Sequence, residues 1–82
     1  MRFPFTPEAQ AQLRAIDRAT ALRILEAIAR YGDTSAGDVE PLHGEWRGCF
    51  RLRVGEYRVI FRIVEDGYEI ITVGHRSDVY AG

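Results

Sequence analysis

Three arginines crowd into the short segment CFRLRVGEYRVIF, which covers residues 49–61. They are Arg51, Arg53 and Arg58. A guanidinium group presents several N–H donors in a planar fork that matches two phosphate oxygens, and it stays charged at physiological pH. These residue types in one place could therefore bind a phosphodiester and stabilise the negative charge that develops when it reacts.

The elements that must position these arginines are β-strands. Alternation of apolar and polar residues predicts strands near residues 49–54, 57–65 and 68–74, and the short turns Gly55-Glu56 and Asp66-Gly67 separate them. Turns this short join neighbouring strands in antiparallel order. The sequence therefore predicts a small, mainly antiparallel sheet.

Counting along these strands places the arginines together. From the first turn, Arg53 lies opposite Arg58 and Arg51 lies opposite Ile60, and from the second turn Arg58 lies opposite His75. We therefore predict that the three arginines and His75 share one face of the sheet. Like charges directly across a sheet destabilise it by up to about 1 kcal/mol per pair, so replacing Arg58 by alanine should leave the stability level or raise it. Such crowding favours a polyanion-binding site; the alternative is a solvated face whose side chains extend into water.

Helical patterns precede the strands. Thr6, followed by a proline, predicts a helix N-cap, and a second helical pattern ends at Tyr31 before Gly32. A bend at Asp17 or Thr20 would make the two helices a hairpin.

The order of elements predicts an α+β fold in which residues 1–82 form one domain. Residues 2–5 are expected to form an edge strand and residues 32–48 a loop, which gives the order β-α-α-β-β-β with the helical hairpin on one face of the sheet. The side chains expected at the interface between helices and sheet are Leu13, Ile16, Leu22, Leu25 and Ile28 on the helices and Phe50, Leu52, Val54, Tyr57, Val59, Phe61 and Ile63 on the strands.

The charge of the chain is distributed unevenly. The 82 residues carry a net charge of −1 and no lysine, yet residues 47–62 hold five arginines against Glu56 alone, a local charge of +4. A basic patch of this kind is typical of surfaces that face phosphates or an acidic partner. The single cysteine, Cys49, excludes an intramolecular disulfide, and the sequence shows neither a signal peptide nor a membrane-spanning run. We therefore expect a cytoplasmic protein with no membrane partner.

Motifs along nearly the whole chain resemble RelE-type toxins of the RelE/ParE toxin–antitoxin superfamily. They are FTPEA before the helical hairpin, then PLHGEWRGCFRLRVGEYRVIF, and finally ITVGHRSDVY. The segments occur in the order in which the family has them. The resemblance implies the RelE-like fold predicted above.

The resemblance also implies an activity. RelE-like toxins cut mRNA in the ribosomal A site without a metal ion, because the ribose 2′-OH attacks the adjacent phosphate and leaves a 2′,3′-cyclic phosphate and a free 5′-OH. The basic sheet residues of the family correspond to Arg51, Arg53 and Arg58. Its distal arginine corresponds to Arg76 and its C-terminal tyrosine to Tyr80.

Proton transfer needs groups other than arginine, which is too basic to act as a general base. His75 and Tyr80 are the candidates, and Glu40 resembles the position of a catalytic glutamate in YoeB-like relatives. Each has a plainer alternative: a histidine at the end of a strand, a tyrosine that packs or stacks on a base, and a solvated loop carboxylate. Trp46 is either a lid on the core or a stacking platform. The identity of the general base stays open.

The implied partners are a cognate antitoxin encoded by a neighbouring gene and mRNA on the ribosome, with no metal and no small-molecule cofactor. Two other functions within the superfamily remain. One is a ParE-like, non-enzymatic inhibitor of DNA gyrase, and the other is an inactive module that only binds an antitoxin. The segment from His75 to Tyr80 favours the endonuclease, since a pure binder needs no proton carrier.

Overall fold

A computed structural model describes residues 2–79 of the chain. The fold is α+β, as predicted. Its elements are, in order, α1 (Pro7–Ala15), α2 (Arg18–Thr34), β1 (Asp38–Pro41), a short 3₁₀ turn (Gly44–Trp46), β2 (Phe50–Val54), β3 (Tyr57–Val64), β4 (Gly67–His75) and α3 (Arg76–Val79). None of the helices within residues 2–79 has the length and apolar character needed to cross a membrane.

The two long helices begin at capping side chains. Thr6 Oγ1 accepts a hydrogen bond from the Ala9 N–H at 3.1 Å, and Asp17 Oδ2 accepts one from the Thr20 N–H at 3.0 Å. Each bond satisfies a backbone donor that has no partner inside the helix. Thr6 is therefore confirmed as a cap, and the bend between the helices lies at Asp17.

The end of α2 differs from the prediction. The helix continues past Gly32 to Thr34, and Ser35 takes the left-handed conformation at φ 62°. Ser35 donates its backbone N–H to the Tyr31 carbonyl at 2.8 Å. A serine thus supplies the C-terminal cap that the glycine was predicted to supply.

The four strands form one antiparallel sheet in the order β1-β2-β3-β4. Strand β1 lies within residues 32–48, which were predicted to be a loop. Residues 2–5 run along the outer edge of β4 with only two isolated bridges, Arg2 with Gly67 and Phe5 with Ile70, so the predicted edge strand is reduced to these contacts. Gly67 permits the approach, because a Cβ there would lie 2.0 Å from the Arg2 carbonyl oxygen.

The core lies between the helices and one face of the sheet, as predicted. Its buried members are Ala9, Ile24, Ile28, Leu52, Val59, Phe61, Ile70 and Val73. Three residues predicted for this core are exposed instead: Leu22 at 50%, Leu25 at 40% and Ile63 at 61%. The face of α2 that packs against the sheet carries Ile24 and Ile28, which lie about one helical turn apart. Leu22 and Leu25 lie on other faces of the helix and are therefore exposed. Ile63 lies next to the hairpin turn, past the end of the buried cluster.

The first hairpin has the predicted register. Arg53 lies opposite Arg58, and Arg51 lies opposite Ile60. Because opposed residues in an antiparallel pair share a face, the three arginines lie on one face, opposite to the face that carries Leu52 and the core.

The second hairpin corrects the position predicted for His75. Its turn lies one residue earlier than expected, so that Val64 pairs with Gly67. A bulge follows in β4: Phe61 pairs with Ile70, but the preceding residue, Ile60, pairs with Thr72, which leaves Ile71 without a partner in the ladder. A bulge inserts one residue and reverses the alternation beyond it. Arg58 consequently pairs with Gly74, and His75 pairs with Tyr57 on the face of the helices.

Candidate functional site

Arg51, Arg53 and Arg58 form the arginine face, the sheet surface on the side away from α1 and α2. Arg58 is the most deeply set of the three, with only 8% of its surface exposed. Its Nη1 donates hydrogen bonds to the carbonyls of Gly55 at 2.9 Å and Tyr57 at 3.0 Å. These bonds hold the guanidinium against the β2–β3 turn and use only Nη1, not the Nε–Nη2 edge. A guanidinium that is already held in place suits phosphate binding, because it need not move when negative charge develops on the phosphate oxygens.

Strand β1 brings carboxylates onto the arginine face. Arg51 Nη2 lies 3.0 Å from Glu40 Oε2 and 3.4 Å from Asp38 Oδ1, and Arg53 Nη1 lies 3.9 Å from Asp38 Oδ2. The patch of +4 counted along residues 47–62 is therefore partly neutralised in space by acids from the other half of the sequence. Alternation in the segment Asp38–Pro41, acid then apolar then acid, was the signal that could have revealed β1.

His75 lies at the end of β4, with its ring edge-on to the ring of Tyr57 at a centroid distance of 5.7 Å. Its Nδ1 lies 2.8 Å from Ser77 Oγ and accepts a hydrogen bond from the Ser77 backbone N–H at 3.2 Å. Because the Ser77 backbone N–H is a fixed donor, Nδ1 is the acceptor in this geometry and the hydrogen of the neutral ring lies on Nε2. In the other tautomer Nδ1–H would donate to Ser77 Oγ and Nε2 could accept a proton, but the bond from the Ser77 backbone N–H would be lost.

Arg76 is held at the end of the sheet by Glu56, a residue of the β2–β3 turn. Its Nε lies 2.5 Å from Glu56 Oε2, and its backbone N–H donates to the Glu56 carbonyl at 2.8 Å. The hydrogen bond from Arg76, with the charge of Arg76 and smaller effects of His75 and Arg58, holds the pKa of Glu56 below its ordinary value of 4.5. The Glu56 carboxylate thus contacts Arg76, and it belongs to the turn to which Arg58 Nη1 is hydrogen-bonded.

We expect Glu56→Gln to change how the stability depends on pH. A lowered folded-state pKa means that the carboxylate stabilises the fold above the ordinary pKa of 4.5 and that this stabilisation disappears as the pH falls through the folded-state pKa. Thermal melts of both proteins from neutral to acidic pH check this. The melting temperature of the variant should be lower near neutral pH and should meet that of the parent in acid; two parallel curves would contradict the role of Arg76.

An open groove of about 550 Å³ lies beside His75. Gly74 and Tyr57 line it, and Trp46 reaches it from the loop between β1 and β2. The volume is within the range of small-ligand sites. Trp46 therefore lies beside a candidate site as well as being half-buried.

The structure brings most of the predicted site residues to one end of the sheet. Arg58 and Arg76 are bonded to the β2–β3 turn, and His75 pairs with Tyr57 directly after that turn, on the other face of the sheet from Arg58. Tyr80, also predicted for the site, lies outside the described residues 2–79. Within those residues no three His, Cys, Asp or Glu side chains come close enough together to hold a metal ion.

The family model of the ParE toxin of type II toxin–antitoxin systems, parDE, matches residues 4–80. The toxin RelG of Mycobacterium tuberculosis is 35% identical over 65 residues, which cover 71% of this chain and 75% of RelG. The chain belongs to the RelE/ParE superfamily of toxins of type II toxin–antitoxin systems.

Solved structures share the fold at lower sequence identity. A chain of the RelB–RelE antitoxin–toxin complex from Methanococcus jannaschii is 21% identical with a TM-score of 0.74, and the match covers 94% of each chain. A chain of the YoeB–YefM complex from Staphylococcus aureus is 17% identical with a TM-score of 0.76, and the match covers 92% of this chain and 95% of that one. These likenesses bear out the RelE-like fold that the motifs implied.

Proposed function

We propose that this toxin is a ribosome-dependent mRNA endonuclease that acts without a metal ion. The observation that carries the proposal is that Arg58 and Arg76 are both bonded to the β2–β3 turn, beside the arginine face, while His75 lies at the same end of the sheet on its other face. Phosphoryl transfer needs positive charge at the phosphate oxygens and a group that moves protons. This end of the sheet supplies both.

In the proposed reaction the ribose 2′-oxygen forms a bond to the adjacent phosphorus, and the bond from phosphorus to the 5′-oxygen of the next nucleotide breaks. Arg58 and Arg76 bind the non-bridging oxygens, on which negative charge accumulates. His75 takes up the 2′-OH proton at Nε2 in the tautomer with hydrogen on Nδ1, which donates to Ser77 Oγ once Nδ1 has given up the bond that it accepts from the Ser77 backbone N–H. The products are a 2′,3′-cyclic phosphate and a 5′-OH, after a proton has reached the leaving oxygen. Tyr80 and Glu40 are the other candidates for the two proton transfers.

The groove beside His75 suits a nucleotide base in this proposal. Trp46 and Tyr57 offer aromatic surfaces on which a splayed base can stack. Glu8 and Asp78 also line the groove, and their charges disfavour a phosphate there. The scissile phosphate would then lie toward the arginines and a neighbouring base in the groove.

The proposed partner that holds the toxin inactive is a cognate antitoxin. Solved relatives of the fold are antitoxin–toxin complexes. On this chain Leu22 and Leu25 lie nearly one turn apart on α2 with half or almost half of their surface exposed, a pair that a folding antitoxin segment can bury. Co-expression with the product of the adjacent gene should restore growth; a chain that is harmless alone and binds no such product would contradict the proposal.

The second candidate is a ParE-like inhibitor of DNA gyrase. The matching family model favours it, because that model describes ParE toxins. Neutralisation of Arg51 by carboxylates also fits a surface that binds protein rather than RNA.

Primer extension on mRNA from cells that express this chain alone separates the candidates. If the toxin is an endonuclease, primer extension shows discrete breaks within translated codons, and these breaks vanish when translation initiation on the same mRNA is blocked. The gyrase inhibitor predicts intact mRNA together with gyrase-linked DNA breaks. Intact mRNA and intact DNA would leave only an antitoxin-binding module and would contradict both activities.

A further inference from the structure

The ion pairs of β1 are built into the sheet rather than formed by chance contact of surface side chains. Backbone pairing places Glu40 directly opposite Arg51 and Asp38 directly opposite Arg53. Directly opposed residues share a face, so both carboxylates must lie on the arginine face. Asp38 contacts both arginines, at 3.4 Å and 3.9 Å.

These pairs differ from the anchoring of Arg58. Arg58 donates to neutral backbone carbonyls, which orient its guanidinium without cancelling its charge. Arg51, whose side chain is 12% exposed, instead has two carboxylates within 3.4 Å. Carboxylate and phosphate oxygens bind the same guanidinium fork. A phosphate that reaches Arg51 must therefore displace Glu40 and Asp38.

The displacement is possible, because the carboxylates lie at the surface. The side chain of Asp38 is 52% exposed and that of Glu40 is 69% exposed, so both can turn into water. Exposed ion pairs contribute little to stability. The carboxylates therefore act as a competitor that weakens phosphate binding without preventing it.

We infer that Asp38 and Glu40 are internal counter-ions that compete with RNA phosphates for Arg51 and Arg53 and so determine how weakly this face binds RNA in general. The inference rests on the proposed function, which needs RNA phosphates at this face. The consequence is selectivity for the RNA that the toxin binds. Free RNA binds weakly, and only RNA that the ribosome already holds in place binds well enough to be cut.

The test measures binding of a short, mixed-sequence single-stranded RNA by fluorescence anisotropy over a range of salt concentrations. The double variant Asp38→Asn/Glu40→Gln should bind this RNA about three- to tenfold more tightly near 0.1 M salt, since each exposed ion pair that is removed accounts for a factor of roughly 1.4–5. The salt dependence should also steepen by about 0.7 for each additional phosphate contact.

The matched control is Glu26→Gln/Asp33→Asn, which removes the same charge from α2 on the far side of the sheet. It should bind RNA nearly as the parent does. Adding Arg51→Ala and Arg53→Ala to the β1 variant, Asp38→Asn/Glu40→Gln, should abolish its gain in RNA affinity, because the carboxylates act through these arginines.

Equal gains in the β1 variant and the α2 control would overturn the inference, because bulk charge would then explain both. A gain that survives without Arg51 and Arg53 would also overturn it. The same holds if neither the parent nor the β1 variant binds RNA at low salt. Cleavage in translated codons is measured separately and decides the proposed function by itself.

Discussion

Replacing Arg58 by alanine is expected to slow RNA cleavage by about 10²–10³-fold, the usual effect of removing one positioned donor from a developing oxyanion. The reason is the position of Arg58, which is fixed by two bonds at the β2–β3 turn, the turn that also holds Arg76 through Glu56. Arg58→Lys should recover only part of the rate, because an ammonium group cannot reproduce the planar fork. Single-turnover cleavage on programmed ribosomes measures the effect.

The same change should reduce the stability, contrary to what charge crowding alone predicts. Arg58 is buried and bonded to the carbonyls of Gly55 and Tyr57, so its removal leaves these acceptors without a charged donor. A hydrogen bond to a charged group contributes about 1.5–3 kcal/mol to the free energy of unfolding. Relief of repulsion from Arg53, worth up to about 1 kcal/mol, offsets only part of this loss.

A control is needed to separate the two effects of Arg58→Ala. Ile24→Val shortens a fully buried core residue of α2, far from the arginine face, and should cost about 0.5–1.5 kcal/mol. With both variants held well below their melting temperatures, Ile24→Val should cleave at the parent rate and Arg58→Ala should not. If Arg58→Ala loses stability and keeps the parent rate, Arg58 is a structural residue only.

Leu52→Asp is expected to abolish folding. Leu52 is 2% exposed and belongs to the core between β2 and the helices. Even Leu→Ala changes at such sites cost about 2–5 kcal/mol. A buried, unpaired carboxylate costs considerably more, against a total stability of about 5–15 kcal/mol for a domain. Circular dichroism and a thermal melt of the purified chain show the result.

Ile63→Asp is the matched control for Leu52→Asp. It makes the same change from an aliphatic residue to aspartate on the neighbouring strand, at a residue that is 61% exposed. The control should fold with a small change in melting temperature. Folding of Leu52→Asp, or unfolding of Ile63→Asp, would show that the sheet register given above is wrong.

Local signals in the sequence predicted much of the fold. Capping at Thr6 and the register of the first hairpin follow from bonds and turns between near neighbours, so they are confirmed. Strand β1 escaped prediction, because it has only four residues and ends in Pro41. Its pairing with β2 depends on contacts that are distant in sequence, which residue propensities do not encode.

The positions of the site residues, like the fold, could be predicted only in part from the sequence. Alternation correctly placed Arg51, Arg53 and Arg58 on one face, since period-2 geometry holds within a regular strand. His75 was assigned to the wrong face, because a bulge at Ile71 reverses the alternation and has no signature in a single sequence. The carboxylates of β1 were missed together with their strand.

Ribosome-dependent cleavage of mRNA can be measured with purified components. The purified toxin is added to ribosomes stalled on a defined mRNA with an empty A site, and the ends of the products are analysed. We expect one cut in the A-site codon, a 5′-OH on the downstream fragment and a 2′,3′-cyclic phosphate on the upstream one, with no cut when the ribosome is omitted. Intact mRNA on such ribosomes, or a product with a 5′-phosphate, would contradict this expectation.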